Sequence, residues 1–330
     1  MTSDSASVEW MAREGMDIVV LREPATGSIA EIIPGIGNNL IRFESGGHPV
    51  IEPPALLQML QKEAYAPFQY GMPILFPPNR VHKGRFGYRG REYRLPINEP
   101  PDFHLHGELC KRAWEVVEEG VSSEGGAYVT SRFSYASHPD LMAYFPHSLT
   151  FTATFRLLEG RLYLEGTIVN DGEEESPFAF GLHPYFSLPF QRGKEIILHA
   201  PALEEWPVTS QAMVRGLPSQ TEFSRSLNEG VSISEYSELG CSLITLKEGG
   251  AVCRIDIPDS AYSIRFRLGP EFPYLVLFRP DWSSAYSLEP YTYVTDAFNL
   301  PYEHERTGAR GLMPGEVFHF ETSMWTEALG

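Results

Sequence analysis

Apolar and threonine positions alternate strictly through Leu149-Thr150-Phe151-Thr152-Ala153-Thr154-Phe155. A period of two is the mark of an antiparallel strand with one face on a core and the other on solvent. Glu159-Gly160 interrupts the alternation, which resumes at Leu162, Leu164 and Ile168, so a hairpin is predicted there. Further strands are predicted over Arg85 to Leu95 (folded at Arg89-Gly90), Ala127 to Tyr135, Phe178 to Leu182, Ile196 to Ala200, Cys241 to Lys247, Val252 to Ile257, Tyr262 to Leu268, Tyr274 to Phe278 and Val317 to Thr322. Helical spacing is convincing only over Pro54 to Ala64, where a leading proline precedes Leu56, Leu57 and Leu60. Many short strands punctuated by glycine, proline and Asn170-Asp171-Gly172 predict an all-β protein, a large antiparallel β-sandwich with few short helices.

The composition supports a large core. Of 330 residues, 42% are hydrophobic and 12% aromatic, enough buried surface to offset the conformational entropy lost on ordering the chain, which excludes disorder. No repeat, low-complexity tract or long linker divides the sequence, so residues 1–330 are expected to form a single domain with 1–15 peripheral to it. Lys+Arg 26 against Asp+Glu 43 leaves a net charge of -17, which repels phosphate backbones and anionic lipid surfaces, so neither nucleic acid nor membrane is an expected partner. No apolar run approaches the ~20 residues needed to span a bilayer. The first fifteen residues also lack the basic-then-apolar order of a secretory signal. Cys110, Cys241 and Cys253 are odd in number and far apart, which argues against a disulfide framework or a zinc site and for reduced thiols in a cytoplasmic protein.

Four segments gather ionisable or aromatic groups beside glycine or proline: Pro78-Asn79-Arg80; His104-Leu105-His106-Gly107; Gly181-Leu182-His183-Pro184-Tyr185-Phe186; and Leu288-Glu289-Pro290-Tyr291-Thr292. His104 and His106 would share a face on a strand, a metal-ligand geometry, but no carboxylate follows within a few residues, and a histidine bonded to a backbone carbonyl fits the spacing as well. His183 and Glu289 each end an apolar run before a proline, which predicts both at a strand end on the rim. A carboxylate there is either solvated or desolvated by its aromatic neighbours and raised toward a useful base.

Taken together, these segments resemble the aldose 1-epimerase (galactose mutarotase-like) family. The resemblance is carried, in order, by Pro78-Asn79-Arg80, the run from Gly84 to Leu95, Leu105-His106-Gly107, Gly181 to Phe186, Glu289-Pro290-Tyr291-Thr292 and the closing Pro314-Gly315-Glu316. It implies a galactose mutarotase-like sandwich, without metal or organic cofactor, interconverting the α and β anomers of a free hexose. In that reading Glu289 is the general base at the anomeric O1 hydroxyl, His183 the general acid at ring oxygen O5, and His106 a hydrogen-bond partner of the same oxygen. Asn79 and Arg80 would contact sugar hydroxyls, and Tyr185, Phe186 and Trp282 would offer aromatic floor to the C–H face of the ring. The expected partner is a small-molecule aldose, the expected state a monomer or weak homodimer.

One departure concerns specificity: relatives carry an aspartate where Ser234 falls in Val231-Ser232-Ile233-Ser234-Glu235-Tyr236. Three other readings stand beside the free-hexose one. Lys83, Arg85 and Arg89 would have to meet a phosphate in a hexose-6-phosphate mutarotase. Asp281 and Glu289 would have to face one another in a glycoside hydrolase. A catalytically silent carbohydrate-binding protein of the same fold would keep the cleft without turnover.

Overall fold

The strict alternation at Leu149–Leu158 is realised in full: its side chains are buried and half-buried by turns, and it pairs with Arg161–Asn170 through a two-residue turn at Glu159-Gly160, both with positive φ. The structure is a computed structural model that describes residues 5–61, 68–124, 126–190, 194–233, 240–248 and 250–329. Among these, every ladder joining two strands is antiparallel, and the strands form two large sheets of twelve and nine strands with three small two-stranded ones. The nine-stranded sheet runs Glu115–Val121, Ala127–Ser134, Leu149–Leu158, Arg161–Asn170, Val317–Ala328, Tyr262–Leu268, Ala251–Ile257, Ile197–His199, Val231–Ser232. The twelve-stranded sheet begins at Ser7–Arg13 and passes through Met16–Glu23, Ser28–Ile33, Asn39–Ser45 and His48–Ile51 to Tyr185–Ser187, Ala285–Tyr291, Tyr274–Phe278, Ser242–Leu246 and Ala202–Trp206.

Inward-facing side chains of both sheets join one hydrophobic cluster: Phe133, Phe151, Phe155 and Phe266 from the nine-stranded sheet, and Val19, Leu21, Phe43, Phe186, Tyr286 and Leu288 from the other. At roughly 1.5–3 kcal/mol for each large apolar side chain removed from water, this layer supplies the main driving force for stacking the sheets. The mostly β architecture is therefore the predicted sandwich, and the N-terminal segment is its exposed edge strand, Ser7–Arg13.

Three local expectations change. Over 54–61 the chain forms only the short 3₁₀ turn Leu57–Gln61; Leu57 and Leu60, three apart, are buried, whereas Leu56 is exposed, because three residues per turn eclipses i with i+3. The remainder of the predicted helix, 62–64, lies outside the described residues. The run from Phe178 to Leu182 is split between Ser176–Phe178, paired with Arg310–Leu312, and Gly181–Leu182, paired with Tyr291 and with Ile74–Leu75. Finally, Pro290 does not end its strand. Ala285–Tyr291 continues through it, because the neighbouring chain is broken at His183-Pro184 and offers no ladder bond for the missing N–H to make.

At Gly107 the chain lies directly against the backbone of another segment. Its φ is +66°, and a Cβ there would lie 1.8 Å from the carbonyl oxygen of Phe76, with which Gly107 forms an isolated parallel bridge. Gly90, at φ +80°, has open space instead. Gly107→Ala should therefore lower the free energy of urea unfolding by about 3 kcal/mol or more, whereas Gly90→Ala should cost only about 1 kcal/mol of backbone strain. Equal losses at the two positions would show that the close approach to Phe76 is not a constraint.

Candidate active site

Gly181 faces Tyr291 and Tyr185 faces Ser287 across the central strands of the twelve-stranded sheet, so the intervening His183 falls opposite Glu289. Register alone makes these two cross-strand neighbours. On Ala285–Tyr291, Tyr286 and Leu288 belong to the cluster between the sheets, while the alternate residues Ser287, Glu289 and Tyr291 share the other face with His183. The predicted rim position is thus corrected. His183 is 3% exposed and Glu289 2%, because their prolines interrupt only the local ladder and the cross-strand neighbours cover both side chains.

The motif residues around them have evident packing reasons. A Cβ on Gly181 would lie 2.4 Å from Cδ1 of Tyr291, so the glycine makes room for that ring. Thr292 closes the turn by accepting the Phe180 N–H at 2.9 Å. Asn79 and His106 clamp each other: the His106 N–H donates to the Asn79 carbonyl at 3.0 Å, and the Asn79 N–H donates to His106 Nδ1 at 3.1 Å. Both take left-handed backbone, φ 56° and 61°.

A chain of hydrogen bonds orders the protons. The Ser287 hydroxyl donates to the Pro184 carbonyl at 2.8 Å, so it accepts from His183 Nδ1 at 2.9 Å and leaves Nε2 facing Glu289 Oε1 at 3.3 Å. The Tyr291 hydroxyl donates to the other carboxyl oxygen, Oε2. Burial pushes the Glu289 carboxyl up to about 8, against the lowering effect of Tyr291 and Arg80, and pushes His183 down to about 3, with Arg80 adding to the fall. At neutral pH the pair therefore holds a single proton between Oε1 and Nε2. His106 is also lowered, by burial first and then by His183, Arg80 and Lys111; it is neutral, and with Nδ1 accepting from Asn79 its proton sits on Nε2. The His106 and His183 rings meet edge to face, 5.1 Å between centroids.

Glu289, His183 and His106 line a cavity of about 320 Å³ together with Phe68, Asn79, Arg80, Glu99, Tyr185, Cys241, Phe278 and Trp282. The volume is at the lower end of small-molecule sites, roughly 300–1,000 Å³. Three larger surface depressions among the described residues, of about 700, 580 and 400 Å³, contain none of these residues. The cavity bearing a buried carboxylate–imidazole pair is the candidate site, because convergent perturbed groups mark chemistry better than size does. Trp282, 41% exposed, stands at its mouth 5.7 Å from Phe278, and the Tyr185 hydroxyl donates to the Phe68 carbonyl at 2.9 Å. Arg80 forks onto Glu99 at 2.5 and 2.6 Å and donates to the Gln211 carbonyl at 2.9 Å.

All seven predicted residues, Glu289, His183, His106, Asn79, Arg80, Tyr185 and Trp282, line this one cavity. Phe186 does not; it packs in the inter-sheet core, 5.3 Å from Phe266. The His104–His106 face does not form, because the strand Phe103–Leu105 ends before His106 and His104 Nδ1 is bonded to the Pro96 carbonyl at 2.7 Å. Asp281 is exposed and absent from the cavity lining, so it makes no facing pair with Glu289. Of the basic trio, Lys83 is paired with Asp102 and Arg89 with Glu175, while Arg85 and Arg89 line a different depression. Ser234 lies outside the described residues. Sequence reasoning missed Ser287, Tyr291, Glu99 and Cys241; the first two were legible as the same-face neighbours of Glu289 at two residues on either side.

A wide antiparallel sandwich with a buried carboxylate, two imidazoles and an aromatic-edged pocket defines a galactose mutarotase-like protein. The chain belongs to the aldose 1-epimerase family, whose sequence profile matches residues 24–325. It is 26% identical over 284 residues to the uncharacterized protein YphB of Escherichia coli (strain K12), covering 83% of this chain and 89% of that protein. It is 32% identical over 148 residues to the galactose mutarotase of Rattus norvegicus, covering 42% of this chain and 37% of that one. In fold it is similar to a galactose mutarotase-like protein from Clostridium acetobutylicum (TM-score 0.86, 23% identity, 98% and 99% of the two chains). It is also similar to a galactose 1-epimerase from Lactobacillus acidophilus NCFM (TM-score 0.77, 16% identity, 99% and 100%). No helix of the described residues is long and apolar enough to cross a membrane.

The hydrogen-bond partners predict opposite tautomers for the two site histidines. Long-range ¹H–¹⁵N spectra at pH 7 should show His183 protonated at Nδ1 and His106 at Nε2, and Ser287→Ala should remove the first preference while leaving the second. The same tautomer at both rings would contradict the assigned proton order.

Proposed function

We propose that the protein is an aldose 1-epimerase that interconverts the α and β anomers of an aldose by acid–base opening of the ring. The observation that carries this reading is the Glu289–His183 pair, 3.3 Å apart in a cavity of small-molecule size, where burial favours the neutral form of each group. Anomerisation needs a base for the O1 proton and an acid for O5, and both oxygens are bonded to the same carbon, so adjoining groups suit it. The competent form has the shared proton on His183 Nε2 and Glu289 as carboxylate; transfer across the 3.3 Å contact produces it from the neutral pair.

Glu289 then takes the O1 proton as His183 gives its proton to O5. The C1–O5 bond breaks and C1=O1 forms. Glu289 now carries the pair's one proton, so the count is unchanged, and rotation about C1–C2 followed by the reverse transfers closes the ring on the other face. His106, neutral with its proton on Nε2, donates a hydrogen bond to the ring oxygen. Tyr185, whose hydroxyl hydrogen is committed to the Phe68 carbonyl, has a lone pair 3.3 Å from His183 Nε2 that favours the protonated imidazole. Ser287 and Tyr291 act through the pair, the first holding the imidazole and the second the carboxyl. Each correctly placed acid or base is worth roughly 10² to 10⁴ in rate. Isomerase activity of this kind agrees with family membership and with the galactose mutarotase relatives.

Polarimetry or anomeric NMR of freshly dissolved α-glucose and α-galactose should show equilibration accelerated in proportion to enzyme. Glu289→Gln should lose at least about 10² in kcat while still binding sugar, whereas a silent carbohydrate-binding protein would have no rate to lose. The pair must keep one proton, so kcat/KM should be level across neutral pH and fall as pH rises through about 8, where the raised Glu289 carboxyl finally releases the proton. A rate that climbs through that range would exclude the shared-proton mechanism.

A further inference from the structure

Asn79, Arg80 and His106 stand on or beside a two-stranded ribbon, Arg80–His82 paired with Phe103–Leu105, which among the described residues shares no ladder with the twelve-stranded sheet carrying Glu289. Contacts other than strand pairing must therefore register the ribbon against the Glu289–His183 pair. One is the bridge from Gly107 to Phe76. Two more come from residues 293–296, the chain that leaves the Glu289 strand Ala285–Tyr291. The Tyr293 hydroxyl donates to the Pro78 carbonyl at 2.9 Å, and Asp296 Oδ1 accepts the His82 N–H at 3.2 Å. Residues 78–82 are thus held at both ends, with Asn79 and Arg80 between the two bonds.

The anchoring segment is itself fixed. The Thr292 N–H donates to the Phe180 carbonyl and the Val294 N–H to the Thr307 carbonyl, each at 2.9 Å. Tyr293 is buried in a hydrophobic cluster with Leu75, Leu105 and Tyr291. Asp296 is buried too, and its Oδ1 also accepts from Asn299 Nδ2 at 2.8 Å, an amide that reaches the Arg85 carbonyl at 2.7 Å. Burial raises the Asp296 carboxyl to about 6, with Asn299 and the His82 N–H opposing, so at neutral pH it is a carboxylate holding two N–H donors.

Backbone strain shows where this bracing is needed. Asn79, His106 and Asp296 all take left-handed backbone, φ 56°, 61° and 62°, and residues other than glycine stay there only when their surroundings over-determine them. Asn79 carries the constraint onward, because its carbonyl and N–H make the two bonds that orient His106. We propose that Tyr293 and Asp296 are positioning residues: they fix residues 78–82 and, through Asn79, set the orientation of the His106 imidazole relative to the Glu289–His183 pair. Neither lines the cavity, so each acts only through the ribbon. The catalytic consequence rests on the anomerase reading, whereas the geometric one does not.

The test compares the wild type with Tyr293→Phe, with the double variant Tyr293→Phe/Asp296→Ala, and with Tyr93→Phe. The last is a control that removes a buried hydroxyl bond elsewhere, to His147 Nε2 at 2.8 Å. Amide hydrogen exchange is read at Asn79 and His106, which make the clamp, and at His183, whose N–H donates to the Pro73 carbonyl at 3.0 Å. In the double variant the first two amides should exchange at least about 10-fold faster relative to the third, and kcat/KM for glucose or galactose should fall roughly 10- to 100-fold. Tyr293→Phe should move both quantities the same way by at least about 3-fold, and it decides alone if the double variant does not fold. Tyr93→Phe should leave both within about 2-fold. Exchange unchanged or raised equally at the three amides, a Tyr93→Phe effect as large as that of Tyr293→Phe, or an unaltered kcat/KM in the anchor variants overturns the inference. If the wild type accelerates no aldose, the anomerase reading fails and the exchange ratio still decides the positioning.

Discussion

The buried contact between Glu289 Oε1 and His183 Nε2, 3.3 Å apart and shielded from water, is the interaction on which the site depends. Removing an isolated carboxylate from water costs several kcal/mol, and leaving it beside an unprotonated imidazole nitrogen would add lone-pair repulsion. One proton between them removes both penalties. Every neighbouring donor then has an acceptor, from Tyr291 through the carboxyl and imidazole to Ser287 and the Pro184 carbonyl. Such a fully satisfied buried network is rigid, and the direction of each hydrogen bond is determined by the ones beside it.

The sheets exist in this form partly to hold that pair. Ala285–Tyr291 places Tyr286 and Leu288 in the inter-sheet core and Ser287, Glu289 and Tyr291 on the opposite face, where Glu289 lines the cavity and the other two bond to the carboxylate–imidazole pair, so hydrophobic burial on one face fixes the position of chemistry on the other. A slip of one residue would exchange the two sets. The break at His183-Pro184 and the proline at 290 fall side by side, which lets two prolines sit within a central region of sheet without depriving a ladder carbonyl of its donor. The glycines of the site have an equally local reason. Gly107 lets the His106 segment lie against Phe76, and Gly181 leaves space for the Tyr291 ring.

Electrostatics distinguishes two pairs in the cavity lining. In one, burial raises the carboxyl and lowers the imidazoles, so neutral forms are favoured over charged ones. In the other a guanidinium and carboxylate remain an ion pair, stabilised by the bidentate geometry that only arginine offers. Arg80 couples the two pairs, since its charge favours the ionised form of Glu289 while disfavouring protonation of His183.

The sequence by itself determined the class of architecture and most of the chemical inventory. Period-two patterning at Leu149 to Phe155 and the hairpin turn at Glu159-Gly160 are local consequences of backbone geometry, so they are legible one segment at a time. The same holds for the side chains beside glycine and proline, and the six residues marked from their motifs do converge on one cavity, joined there by Trp282. The tertiary structure decided what depends on distant partners. Whether Glu289 is solvated or desolvated, which nitrogen of each histidine carries the proton, and whether Arg80 is free or paired with Glu99 are set by neighbours up to about a hundred positions away. The short turn at Leu57–Gln61 and the split of the Phe178 to Leu182 run have the same origin, since packing and strand pairing override local spacing where few residues favour it strongly. A pKa and a tautomer are properties of an environment, and the environment is made only when the chain closes on itself.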